Sequence, residues 1–198
     1  MASQRERSEA TRARVLEAAV RVLVEHGFAD ATTTRIVKEA GVSRGAMLHH
    51  FPTKAVLMQE VLAYVLRKRE EAFHHALAQA KGDDPVATVI EAFWEAVGAE
   101  EAFVPWLELT VAARTQPALQ AFVAEAGQAL QAVIDENFRT LFDVEDRPEL
   151  DVLPTLGTAV LQGLAMRNLA RGNPEGTKAA LDAIKQLATL LLGSHRPR

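Results

Sequence analysis

Between positions 43 and 50 the chain reads Ser-Arg-Gly-Ala-Met-Leu-His-His, a set of side chains suited to reading nucleic-acid bases. Arg44 can donate two hydrogen bonds to guanine O6 and N7, and Ala46 can lie against a thymine methyl. His49 can reach a base edge or a phosphate, and His50 a phosphate. Gly45, without a side chain, lets the backbone come close to a duplex. Met47 and Phe51 are large and apolar and are expected to face inward, anchoring the reading element.

These groups need a rigid support, and the flanking sequence supplies one. Residues 32–54 read TTTRIVKEAGVSRGAMLHHFPTK. Thr32 is expected to cap a helix over about 33–40, with Ile36, Val37 and Ala40 on its apolar side. Gly41 follows, where glycine accepts positive φ without steric cost. Val42 can plug the turn into a core, and Ser43 can cap a second helix over about 44–50. Phe51 and Pro52 close that helix, because proline disfavours helical backbone in the residue before it. This is the helix-turn-helix plan, in which the second helix enters the major groove.

The segment resembles the DNA-binding region of TetR-family transcriptional regulators. The resemblance rests on Thr32, Ile36, Ala40-Gly41-Val42-Ser43, Gly45, Phe51 and Lys54, and covers roughly residues 8–62, including a helix ending in Glu25-His26-Gly27-Phe28. It implies that Arg44, Ala46 and His49 read bases, and that Thr33, Thr34 and Lys54 lie near phosphates. Leu48 stands where the family commonly has a phosphate-contacting tyrosine, so that contact loses its donor while an apolar packing role survives.

The formal net charge of −4 speaks against a nucleic-acid partner until the chain is divided. Residues 1–54 hold 9 Lys/Arg and 6 Asp/Glu, a balance of +3. The remainder holds 22 − 9 = 13 Lys/Arg and 26 − 6 = 20 Asp/Glu, a balance of −7. A basic end on an acidic body suits a protein that presents one face to phosphate. There is no cysteine, which excludes disulfides and thiolate metal sites and suits a reducing cytoplasm. No apolar run approaches the roughly 18 residues that span a bilayer, and the polar N-terminus has no signal-peptide core.

Elsewhere the periodicity predicts an all-α chain of about nine helices. Residues 1–7 read as a loose basic arm, with Ser8 capping a helix over 9–26. A long fourth helix runs from Lys54 to about Ala80, and Gly82-Asp83-Asp84-Pro85 breaks and caps. A fifth helix reaches about Val97, and 98–104 is a connector. Further helices are expected over 105–115, 117–142, 153–171 and 175–192. Residues 143–151 are expected to form a surface loop and 194–198 a disordered tail. The domain division is 1–53 for DNA binding and 54–198 for a helical ligand-binding and dimerisation domain.

In TetR-like proteins the C-terminal domain holds a ligand pocket, so its aromatic groups are candidates for lining one. They are Tyr64, Phe93, Trp94, Phe103, Trp106, Phe122 and Phe138, with Met166 beside them. Glu108 is a lone charge within FVPWLELTVAA. A buried carboxylate must face water, pair or recognise something; Arg114 or Arg167 is one partner, a cationic or hydroxylated ligand another. Apolar residues on helices eight and nine exceed what a peripheral hairpin needs. Leu156, Val160, Gly163, Leu164, Ile184, Leu187 and Leu191 are expected at a seam between two copies, packed as a four-helix bundle.

His49-His50 and His74-His75 do not make metal sites, because neighbours on a helix point about 100° apart. No nucleophile–base pair, phosphate-cradling loop or metal motif points to catalysis, and no cofactor is implied. The resemblance implies a homodimeric repressor of an inverted-repeat operator, released when a small, mostly apolar ligand tilts helix four and alters the spacing of the two recognition helices. An activator or a repressor requiring a co-ligand is the alternative within the family. A helical ligand carrier or an enzyme is the remote one.

Overall fold

The computed structural model describes residues 3–79, 84–142, 144 and 147–192. Among these residues the backbone is helical with no strand. The elements are α1 (Gln4–Asp30), α2 (Thr33–Ala40), α3 (Arg44–His50), α4 (Lys54–Gln79), α5 (Pro85–Gly98), α6 (Glu100–Ala113), α7 (Pro117–Phe142), α8 (Leu153–Arg171) and α9 (Pro174–Leu192), with one 3-10 turn at Pro148–Leu150. The expected ends of α4 at Ala80 and of the chain at 194–198, together with Gly82 and Asp83, lie outside the described residues.

Two compact units emerge, 1–67 with 100–126, and 68–99 with 127–198. In the first, α1 is the organising helix. Its buried Val15, Leu16, Ala19, Val22 and Leu23 meet Ile36 and Ala40 of α2, Met47 of α3, and Leu57, Met58 and Val61 of α4. Leu109, Ala112 and Ala113 of α6 complete this core. Burial of such side chains, at about 1.5–3 kcal/mol each, supplies most of the stabilisation. The second unit has its own smaller core around Val86, Phe142, Val144, Leu150 and Leu192.

Several boundaries differ from expectation, each for a physical reason. The N-terminal arm is helical from Gln4, because Ser3 rather than Ser8 caps α1 and Glu6 reaches back to the Ser3 amide in a capping box. Helix α6 begins at Glu100 and continues through Pro105, which the sequence reading treated as a start. Burial of Phe103 and Pro105 in the unit outweighs the hydrogen bond that proline forgoes. The stretch after α7 is no plain surface loop, since Val144 and Leu150 are buried.

Helix α1 breaks at Gly27, whose φ of 69° and ψ of 175° are accessible to glycine at little cost. The break frees the amide of Phe28, and the Glu108 carboxylate accepts from it at 2.7 Å. Neither Arg114 nor Arg167 is needed to explain this carboxylate. Replacing Glu108 with alanine leaves that amide without its acceptor and should cost about 1–3 kcal/mol. Glu108→Gln keeps a neutral acceptor and should lose less. Urea unfolding of the two variants measures the difference.

Candidate nucleic-acid interface and internal cavity

The reading element is built by caps. Thr32 accepts from the Arg35 amide at 3.2 Å and Ser43 from the Ala46 amide at 3.1 Å, so each short helix starts with one of its free donors satisfied. Gly41 adopts φ 61° and ends α2. The carbonyls left at that end are taken by α1, where Arg14 donates to the oxygens of Ala40 at 2.7 Å and Gly41 at 3.1 Å. Arg21 pairs with Glu39 at 2.8 Å. Arg12 pairs with Glu60 and lies over the Phe51 ring. These three arginines escaped the sequence reading because their partners lie far away in the chain, with no local spacing to mark them.

Met47 and Phe51 are buried, each 1% exposed, and fix the inner side of α3. The opposite side presents Ser43, Arg44, Gly45 and His49 to solvent, with Thr32 and Thr34 exposed nearby and Ala46, His50 and Thr33 half-buried. Leu48 does not take the packing role expected of it: at 39% exposure it stands outward, because the inner positions of so short a helix are already filled by Met47 and Phe51.

Lys54 differs from the simple picture of a free phosphate ligand. Its Nζ donates to the Phe28 carbonyl at 3.2 Å and lies 4.3 Å from the centre of the Phe28 ring. Burial pushes its pKa down. Burial, then His49 and Arg12, hold His50 below the ordinary histidine value of 6.5. His50 is therefore largely neutral at pH 7 in the free chain.

The second unit holds a cavity of about 380 Å³ that is open on one side. Its wall is formed by Phe73 of α4, Ile90 and Phe93 of α5, Ile134 and Phe138 of α7, and residues of α8 and α9. Of the aromatic candidates named from sequence, Phe93 and Phe138 line it. Trp94 and Met166 belong to the same unit but do not line it, and Met166 is 50% exposed. Tyr64, Trp106 and Phe122 pack against the core of the first unit, where Phe103 is buried against Trp106 and Glu108 caps Phe28. Helical spacing cannot separate a wall aromatic from a core aromatic, so the sequence named both. Arg69, only 4% exposed, was not named and does line the cavity. Burial pushes its pKa down to about 10, which leaves it cationic at neutral pH.

Among the seam candidates, Leu156, Val160, Gly163, Leu187 and Leu191 are exposed, and a Cβ on Gly163 would meet nothing within 4 Å. Ile184 is half-buried on the cavity wall. Leu164 is 6% exposed and points into its own subunit, one helical step from the exposed stripe. Among the described residues no group of three His, Cys, Asp or Glu side chains gathers to hold a metal ion. No helix among them is long and apolar enough to cross a membrane.

Arg44→Ala should cost about 1–3 kcal/mol in affinity at one base pair and relax preference there. Lys54→Ala, removing a group engaged with Phe28, should lower stability by roughly 1 kcal/mol and leave the salt dependence of DNA binding unchanged. Operator variants titrated over a salt series, with thermal melts, separate the two. If His50 faces a phosphate in the complex, the phosphate favours the charged form and the bound state takes up a proton. Affinity should then rise as pH falls toward the lowered free-chain pKa of His50, and His50→Gln should remove that component. Titrations between about pH 7.5 and 5.5 test it.

Comparison with known proteins agrees with this geometry. The family model described as "Bacterial regulatory proteins, tetR family" matches residues 15–61. An uncharacterised HTH-type transcriptional regulator of Mycobacterium tuberculosis is 31% identical over 189 residues, covering 94% of this chain and 97% of its own. The HTH-type transcriptional repressor AcnR of Corynebacterium diphtheriae is 27% identical over 178 residues, covering 88% and 90%. A crystal structure of a regulator from Saccharomonospora viridis in complex with choline superposes with a TM-score of 0.66 at 19% identity, covering 91% and 94%.

Proposed function

The chain belongs to the TetR family of bacterial transcriptional regulators, and from that membership we propose that it is a cytoplasmic homodimeric repressor, released from an inverted-repeat operator by a small, mostly apolar molecule. The observation that carries the DNA-binding half is the solvent-facing set Ser43, Arg44, Gly45 and His49 on a helix pinned from behind by Met47 and Phe51. The observation that carries the ligand half is the 380 Å³ cavity with its apolar wall, a size and lining that suit a small organic guest. Repression rather than activation is favoured by the likeness to AcnR, a repressor. That a structural neighbour was solved with choline supports effector binding within this architecture.

In this reading residues 1–53 carry DNA recognition and 54–198 carry effector binding and dimerisation. Helix α4 is the mechanical link. Its first part, through Met58 and Val61, belongs to the core that holds α3, and its last part brings Arg69 and Phe73 to the cavity wall. A guest that displaces Phe73 tilts α4, and the spacing of the two reading helices changes. The guest must bind the released form more tightly than the operator-bound form, or it shifts nothing.

Dimerisation follows from affinity, since one short reading helix makes too few contacts alone and two require matching half-sites. Selection of DNA fragments by the purified protein should return an inverted repeat, bound by two chains. A selected site without internal symmetry would refute the dimeric reading. Filling the cavity with Phe93→Trp should blunt release by any effector while leaving operator affinity intact. A metabolite screen by DNA-binding fluorescence, run on both proteins, measures this.

A further inference from the structure

The cavity of the second unit is walled almost throughout by hydrocarbon, and its few polar groups are unequal. Asn137, Thr158 and Gln162 are neutral and half-buried, and the Thr158 hydroxyl donates to the Pro154 carbonyl at 2.8 Å. Glu70 is exposed, so water weakens its field. Arg69 is the one cation among the described wall residues, and it is almost wholly buried.

Arg69 and Phe73 stand four residues apart on α4, so they share one face of the helix, and both line the cavity. The guanidinium therefore borders the space where solvent is excluded, whereas Leu156, Val160, Leu187 and Leu191 border it on the exposed side. A guanidinium carries five N–H donors in a planar fork that matches a carboxylate. Arg69 has interactions within the chain, and such a fork has donors enough to serve a guest oxygen beside them. In surroundings of low dielectric its charge acts strongly on whatever enters. A carboxylate gains most from it, a neutral amide gains less, and an ammonium is repelled. The charge persists at neutral pH, because burial lowers the pKa only to about 10.

Resting on the reading of this cavity as the effector site, we propose that the effector is an apolar monocarboxylate, whose carboxylate meets Arg69 and whose hydrocarbon part runs past Phe73 toward α8 and α9. A second buried carboxylate would find no second cation on the described wall, and an unpaired buried charge is costly. The site thus selects for one anionic head and a hydrocarbon body.

Octanoate, octanamide and octylamine share one chain length and differ in the charge of the head. Calorimetric titration at neutral pH should rank them in that order. Octanoate should bind at least about tenfold more tightly than octanamide, since charged hydrogen bonds exceed neutral ones. Arg69→Met, with unchanged helical circular dichroism, should lose that preference and bind octanamide as the wild type does. Equal binding of octanoate and octanamide by the wild type overturns the inference and leaves Arg69 with a structural role, whether or not the variant folds. A preference for octanoate that survives in Arg69→Met also overturns it. Should Arg69→Met not fold, Ile90→Trp decides the location, since it fills the cavity and keeps Arg69. It should lose octanoate, and retained binding with the same preference places the anion site elsewhere and overturns the inference. Nile red, a neutral apolar dye, tests the underlying reading separately. If the wild type binds neither the dye nor any of the three chains, or Ile90→Trp binds the dye undiminished, the cavity is no ligand site. If the dye binds and is lost in Ile90→Trp while octanoate shows no preference, only the monocarboxylate assignment fails.

Discussion

The backbone of Phe28 is the constraint from which the DNA-reading end is built. At Gly27 the first helix kinks, and the Phe28 amide loses its helical acceptor while the Phe28 carbonyl accepts from the Ala31 amide at 3.3 Å. Glu108 takes the amide, and Lys54 adds a second donor to the carbonyl, so an anion and a cation from two other helices hold the backbone on either side of one residue. Charged hydrogen bonds contribute about 1.5–3 kcal/mol each, less than the apolar core contributes in total. Their role is directional. The core makes α1, α4 and α6 adhere, and the grip fixes the angle at which α2 and α3 leave them.

The arginines of α1 extend the same logic to the turn itself. A helix ending at a glycine leaves carbonyls pointing outward, and Arg14 gathers two of them with one guanidinium nitrogen. A Cβ on Gly41 would lie 3.0 Å from that nitrogen, and a side chain at φ 61° is strained, so a larger residue strains the turn and displaces Arg14. Planar, permanently charged guanidinium suits this work better than a lysine ammonium. Part of the positive charge counted toward phosphate attraction is therefore spent internally, as with Lys54.

Local signals were legible in the sequence and distant ones were not. The caps Thr32 and Ser43, the stop at Gly41 and the inward Met47 and Phe51 depend on neighbours within four residues, and the structure has them as read. The spans of α2, α3, α7 and α8 follow the same rule. Pro105 inside α6 and the inward turn of Leu164 depend on tertiary burial that overrides local preference. The division of aromatic residues between a core and a cavity wall is equally invisible to helical period, since both faces want the same side chains. Arg69 was missed because a cation in a helix is ordinarily read as solvated.

The cavity wall has a chemical consequence of its own. Its surface is mostly hydrocarbon, so a guest is held chiefly by the water it sheds and by shape. Each added methylene is then worth about 0.8 kcal/mol, and neighbouring homologues differ in affinity by only about fourfold. An effector site of the kind proposed would rank molecules by oil–water partition coefficient until they outgrow the available volume. It would report on a physical property shared by many compounds, much as a solvent would, with an upper cutoff in molecular size.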